Sequence, residues 1–160
     1  MQQSRVEHIT ADNFTQTKFI SEEVFEKENK RVKLEKGDIL MTRIGDIGTS
    51  KYISWNVKAS FYVSLALLKQ SYLINTLFLN QYIKSNDFQK ELHKRTIHVA
   101  FPKKINLGEI GKCLIKVPSD KEQQKIAKFL SAIDDKIDSV NLQLEKILSD
   151  KTELIQQISV

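Results

Sequence analysis

The 160-residue chain contains one cysteine, two prolines, five glycines and three histidines, and each scarcity excludes something. Cys113 alone can form neither an intramolecular disulfide nor a thiolate metal cluster, and within "GKCLIKVP" it reads as a small buried residue. His8, His93 and His98 are too few and too badly spaced for a ligand set; His93 is expected on a helix surface and His98 in a strand. No metal or cofactor is expected. The polar opening "MQQSRVEHIT" has no signal-peptide pattern, and no apolar run approaches the roughly 18 residues of a membrane span. The expected location is therefore cytoplasmic, with no membrane partner.

Catalytic patterns are absent as well. Gly45 and Gly48 form neither a P-loop nor a dinucleotide fingerprint. There is no Asn-Pro-Pro-aromatic stretch of a base methylating enzyme and no nuclease carboxylate-lysine triad. Asp134, Asp135 and Asp138 cluster, but with Lys136 among them they read as a solvated helix face or an interhelical salt-bridge set. The chain reads as a binding protein rather than an enzyme.

What is present falls into two parts, divided at Pro118. Residues 1–118 hold 19 Lys and Arg against 12 Asp and Glu, a net charge of +7, while residues 119–160 hold 6 against 8, a net charge of −2. A basic domain suits a polyanion, because neutralised phosphates supply most sequence-independent affinity for nucleic acid. The second part contains no Gly and no Pro. Its apolar residues recur at Ile126, Leu130, Ile133, Ile137, Val140, Leu144, Ile147, Leu154 and Ile158, in steps of four and three broken only at Lys151, which is a heptad stripe. Ala127, Leu148 and Ile155 widen the stripe, and Lys128, Asp135, Lys146 and Glu153 lie opposite.

The stretch "VPSDKEQQKIAKFL" carries the start of that helix. Ser119 and Glu122 have capping-box spacing, with the Ser hydroxyl expected to accept from the Glu122 N–H and the carboxylate to reach back to the Ser119 N–H. A helix from Asp120 to near the C-terminus spans about 58 Å at 1.5 Å per residue, too long to bury its stripe on 118 residues. A partner helix is the expected cover, with Lys151 as a register device.

In the first part, 20–29 reads as a short helix starting at Ser21. Strands are predicted at 39–44 and 49–54 around a turn on Gly45, Asp46 and Gly48, then at 60–69, 97–101 and 113–117. Helical spacing covers 73–95, with a break near 85–87. The expected fold class is α+β: a mixed, partly antiparallel sheet domain at 1–118, followed by one long coiled-coil-type helix at 119–160.

The segment "VPSDKEQQKIAKFLSAIDDKIDSVNLQLEKILSDKTELIQQI" closely resembles the helix of the DNA specificity subunits of type I restriction-modification systems. In that family a strand ends in Pro, a Glu-Gln pair opens the helix, and a Leu-x-x-Ile-Asp stretch follows. "LEKGDILMTRIGDIG" and "INLGEIGKCLIKVP" resemble other parts of the same family, so the likeness covers residues 33–160. It implies a noncatalytic subunit with two target recognition domains, each followed by one long helix. The helices pair antiparallel as a spacer, each domain reads half of a bipartite double-stranded DNA site, and methyltransferase and then endonuclease subunits assemble on it. One domain and one helix are present here, which implies a half-length subunit or a fragment that dimerises through the nine heptad residues named above. The DNA-facing side chains are expected at Arg43, Lys51 and Tyr52 near the Gly turn, Lys94, Arg95 and Thr96 at a helix end, and Lys103 and Lys104 after Pro102. The competing reading is a protein-interaction module with no DNA binding of its own.

Overall fold

The computed structural model describes residues 2–11, 14 and 18–158. The extreme ends of the two expected parts, residue 1 and residues 159–160, lie outside these. Six strands and six helices follow in the order β1 (Gln2–Ser4), α1 (Val6–Thr10), β2 (Lys18–Phe19), α2 (Glu22–Arg31), β3 (Ile39–Ile44), β4 (Asp46–Tyr52), β5 (Ala59–Phe61), β6 (Leu65–Leu68), α3 (Thr76–Ile83), α4 (Asn86–Arg95), α5 (Leu107–Ile110) and α6 (Asp120–Ile158). The fold class is α+β, as the sequence predicts.

The strands divide into two three-stranded sheets. One is mixed, with β1 antiparallel to β2 and parallel to β5; the other has β3 antiparallel to both β4 and β6. β3 explains why "ILM" is apolar without alternation. Successive side chains point to opposite faces of a strand, and both faces of β3 are covered. Ile39 and Met41 join Ala66, Ile83, Phe88, Leu92 and Ile105 in one core. Leu40 joins Ile9, Leu34, Ile53 and Leu65 in the other.

Local polar devices fix this strand. Gly37, at φ +96°, makes the turn into it and donates its N–H to the Ile53 carbonyl at 2.7 Å. The fully buried Asp38 carboxylate accepts from the Glu35 N–H at 2.8 Å, the Gln70 N–H at 3.2 Å and Lys69 Nζ at 2.8 Å. Burial pulls the Lys69 ammonium down, but its hydrogen bonds to Asp38 and Glu35 outweigh this and hold its pKa above the ordinary lysine value. The "KGD" triplet is thus a device for entering the sheet. Between Met41 and Arg43 the register with β4 shifts, and the buried Thr42 hydroxyl fills the irregularity by donating to Asp46 at 2.8 Å and accepting from the Thr49 N–H at 3.0 Å.

Several predicted elements need correction. The strand expected at 60–69 is two strands in different sheets, because the chain turns at 62–64, where the Leu65 N–H donates to the Tyr62 carbonyl at 2.9 Å. The strand expected at 97–101 is a loop: Ile97 makes one antiparallel bridge, to Lys104, and the intervening residues turn. Residues 113–117 pair with no strand among the described residues; the Lys116 N–H donates to the Tyr82 hydroxyl at 3.1 Å instead. Cys113 is half-buried rather than buried, and burial pushes its thiol pKa up. His98 lies in the 97–104 loop rather than in a strand. The break between α3 and α4 falls at Ser85, whose hydroxyl accepts from the Phe88 N–H at 3.3 Å as an N-cap.

The last helix begins where the sequence places it, with a modified cap. The Glu122 carboxylate accepts from the Ser119 N–H at 3.1 Å, as expected. The Ser119 hydroxyl donates to that same carboxylate at 2.8 Å, and the Glu122 N–H goes to the Ser119 carbonyl at 2.9 Å. Among the described residues no helix is long and apolar enough to cross a membrane.

Candidate nucleic-acid interface

The sequence-predicted side chains fall into two groups at opposite ends of the β3–β4 hairpin. Gly45 forms its tip, and beside the tip lies the 97–104 loop, tied down at both ends. The Ile97 N–H donates to the Lys104 carbonyl at 2.7 Å, the Gly45 N–H to the Lys103 carbonyl at 2.9 Å, and the Ile105 N–H to the Arg43 carbonyl at 3.0 Å. Arg43 Nη1 donates back to the Ile105 carbonyl at 3.3 Å. Thr96 Oγ1 donates to the Leu92 carbonyl at 2.8 Å, joining the loop to the end of α4. Lys103 and Thr96 line a cleft of about 310 Å³ with Asp46, Gln89, His93 and His98.

Gly48 explains how closely α4 lies on this hairpin. At φ +98° it adopts a backbone that L side chains rarely take, and a Cβ there would meet Gln89 and Leu92 side-chain atoms at 2.7–2.8 Å. The Gln89 amide uses the space to donate to the Gly48 carbonyl at 3.1 Å and the Ile83 carbonyl at 2.8 Å.

The basic residues of this end differ in availability. Lys94 is exposed and pairs with Glu91 at 2.9 Å, while Arg95 is more buried and reaches Glu91 at 3.5 Å and Glu109 at 3.3 Å. The hydrogen bond from Lys112, with help from Lys112 and Arg95 charge, holds the Glu109 carboxyl below its ordinary range. Arg43 is half-buried, and burial, together with repulsion from Arg31, lowers its pKa. The Nε atoms of Arg43 and Arg95 are buried without a hydrogen-bond partner. These two guanidiniums brace the loop and α4, whereas the side chains of Lys103 and Lys104 are exposed.

Lys51 and Tyr52 lie at the other end of the hairpin, away from the Gly turn. They line a cleft of about 530 Å³ together with Asn80, Lys84, Asp134 and Ile137, between the sheet, α3 and α6. Here the acidic cluster finds its role. Asp134 accepts from Gln81 Nε2 at 2.8 Å and from Lys84 Nζ at 2.9 Å, connecting α6 to α3. Burial pushes the Asp134 carboxyl up, but those hydrogen bonds outweigh it and leave the pKa below the ordinary aspartate value.

α6 touches the body mainly through its first turns, where Gln123 and Ala127 are buried. The heptad stripe is otherwise bare: Ile126 is 39% exposed, Ile137 52%, Leu144 53% and Ile158 83%. Leu130 is half-buried, and Ile133, Val140, Ile147 and Leu154 are exposed with the rest.

Sequence reasoning missed Gln123, whose contacts depend on the position of α3. It also missed Val99 and Phe101, which the strand-like composition of "IHVAF" assigns to a short strand. Both side chains are fully exposed, Val99 at 98% and Phe101 at 104% of the reference area.

Comparison with known proteins bears on this arrangement. A family model described as "Type I restriction modification DNA specificity domain" matches residues 4–149, so the likeness begins in β1, well before residue 33. The chain is 28% identical over 140 residues to the type I restriction enzyme EcoBI specificity subunit of Escherichia coli. The match covers 87% of this chain but 29% of that relative.

Proposed function

Because the chain belongs to the type I restriction modification DNA specificity domain family, we propose that it recognises a double-stranded DNA sequence without catalysing a reaction. It serves as one recognition domain with its spacer helix. Residues 1–118 supply the DNA-binding part and 119–160 the assembly helix. The observation that carries the reading is the placement of exposed Lys94, Lys103 and Lys104 at one end of a domain that holds the whole basic excess of the chain. Arg43, Arg95 and Thr96 support that end; Lys51 and Tyr52, at the far end of the hairpin beside α6, form a second, separate part of the proposed contact.

The bare stripe from Ile126 to Ile158 supports a second element of the proposal, an antiparallel homodimer through α6. Methyltransferase subunits, and then endonuclease subunits, dock on the assembled helices. A mobility-shift titration across salt tests the DNA reading: the apparent affinity should fall steeply, by a power of the salt concentration set by the phosphates neutralised. Salt-independent binding, or none with the methyltransferase subunit present, would instead favour the interaction module whose heptad helix alone matters.

A further inference from the structure

Within the DNA-binding reading, on which this inference rests, we propose that Val99 and Phe101 are the apolar base-reading tip, packing on thymine methyl groups in the major groove while Lys103 and Lys104 hold flanking phosphates. The reason to single out this loop is that it joins fully exposed apolar side chains to exposed lysines for which no carboxylate partner is seen among the described residues. Its apolar side chains are fully exposed, at 98% for Val99 and 104% for Phe101, and two exposed lysines follow directly after Pro102. Two other exposed apolar loops have different neighbourhoods: beside Leu114, Lys112 and Lys116 are committed to Glu109 at 2.6 Å and Asp87 at 2.7 Å, and the second loop lies at Tyr72 and Leu73. There Lys69 is committed to Glu35 and Asp38 at 2.8 Å each.

A reading tip must also be held in place, since contacts made by a floppy loop cost ordering entropy on binding. The 97–104 loop meets this requirement. Its two ends bridge each other at Ile97 and Lys104, and Lys104 also bridges to Ile44 in the hairpin. Immediately after it, Ile105 is fully buried in the core as an anchor. Between these fixed points His98 packs on His93 of α4, with ring centroids 4.4 Å apart, while the large apolar side chains of Val99 and Phe101 face outward. Thymine carries the one methyl group that the major groove presents, so an apolar tip on a cation-flanked loop selects it over cytosine. Hydrogen-bonding side chains need not contribute at those positions.

The test uses the full chain, alone and with the methyltransferase subunits of its own system. Wild-type protein selects a site from random duplexes, and each thymine of that site is then replaced by deoxyuridine, which removes only the methyl. We expect one or two replacements to weaken binding roughly tenfold. Phe101→Ala should weaken the unmodified site by a similar factor, leave random DNA and the salt slope unchanged, and be insensitive to deoxyuridine at the same position. Phe101→Leu should recover part of the loss, and Lys103→Ala with Lys104→Ala should weaken all sequences alike, with a salt slope smaller by about two. If wild-type protein shows no sequence preference, this proposal and the DNA reading both fall. If it discriminates and Phe101→Ala and Val99→Ala discriminate equally well, only this proposal falls. Loss of methyltransferase binding by Phe101→Ala with DNA preference intact would also overturn it, making the loop a protein contact.

Discussion

Gln123 Oε1 accepts a hydrogen bond from the Asn75 backbone N–H at 2.8 Å, and Gln123 Nε2 donates to the Pro118 carbonyl at 2.9 Å. One side chain in the first turn of α6 thereby fixes the start of α3 and Pro118, two residues before its own helix. Asn75 is itself the N-cap of α3, its side chain accepting from the Phe78 N–H at 3.0 Å. Gln123→Leu should leave the Asn75 N–H and Pro118 carbonyl unpaired and destabilise the protein by about 1–3 kcal/mol. Urea unfolding would give the loss, and faster hydrogen exchange at Asn75 would locate it.

Asp38 gives a sharper case. It is fully buried and serves two backbone N–H groups and Lys69 at once. Asp38→Leu is expected to cost about 1–3 kcal/mol, since it takes the acceptor from the Glu35 and Gln70 N–H groups, while Lys69, 40% exposed, keeps Glu35 and water. Asp38→Asn, which keeps an acceptor, should cost less. Equal losses in chemical denaturation would show that shape rather than the acceptor matters.

The Asp134 contact makes the attachment of α6 depend on pH. Its folded pKa is depressed, so its contribution is complete above the unfolded value of about 4 and is lost as pH falls through the folded value. The side chain is 43% exposed, and screening limits the contribution to about 1 kcal/mol or less. Asp134→Asn should therefore be slightly less stable than wild type at pH 7 and match it in strong acid. A constant difference from pH 7 to pH 2 would rule out this linkage.

Assembly through α6 is tested by charge. Ile137→Asp with Leu144→Asp places two carboxylates in the middle of the bare stripe, far from the buried Gln123 and Ala127. On the proposed assembly, wild-type protein should sediment as a dimer and this variant as a folded monomer. A dimer that survives the double substitution has its interface elsewhere.

A two-fold antiparallel pair also dictates the form of the DNA site. Identical domains at opposite ends must read the same half-sequence in opposite orientations, giving an interrupted palindrome. The 39 residues of α6 span about 58 Å. That length sets an upper scale of about 17 base pairs between half-site centres. Inserting one heptad should lengthen the preferred gap by about three base pairs while leaving the half-sites unchanged. Selection of one continuous asymmetric site would reject this geometry.

How far the sequence reveals the molecule depends on whether a signal is local. Heptad spacing and the Ser119–Glu122 spacing are local, and α6 starts and runs as read from them. The Ser85 break and the β3 strand are likewise written in short-range chemistry. The strand misplaced at 60–69 fails because its aromatic and β-branched composition carries no mark of the turn that sends β5 and β6 to different sheets. The loop at 97–104 fails similarly: "IHVAF" has strand composition, but backbone pairing with the hairpin tip decides its shape. For the candidate site, residue type finds the lysines. It cannot tell that Arg43 and Arg95 turn inward, or that Lys51 sits at the far end of the hairpin.

That hairpin has one more consequence. Gly45 touches the 97–104 loop, while Lys51 and Tyr52, about 20 Å along the strand, border α6. The strand between them acts as a strut whose two ends share no side chain. Residues 99–102 thus form a replaceable cassette between fixed sockets at Ile97–His98 and Lys103–Lys104. A graft of different sequence there meets the same frame, alters neither hydrophobic core, and leaves the spacer junction as it was.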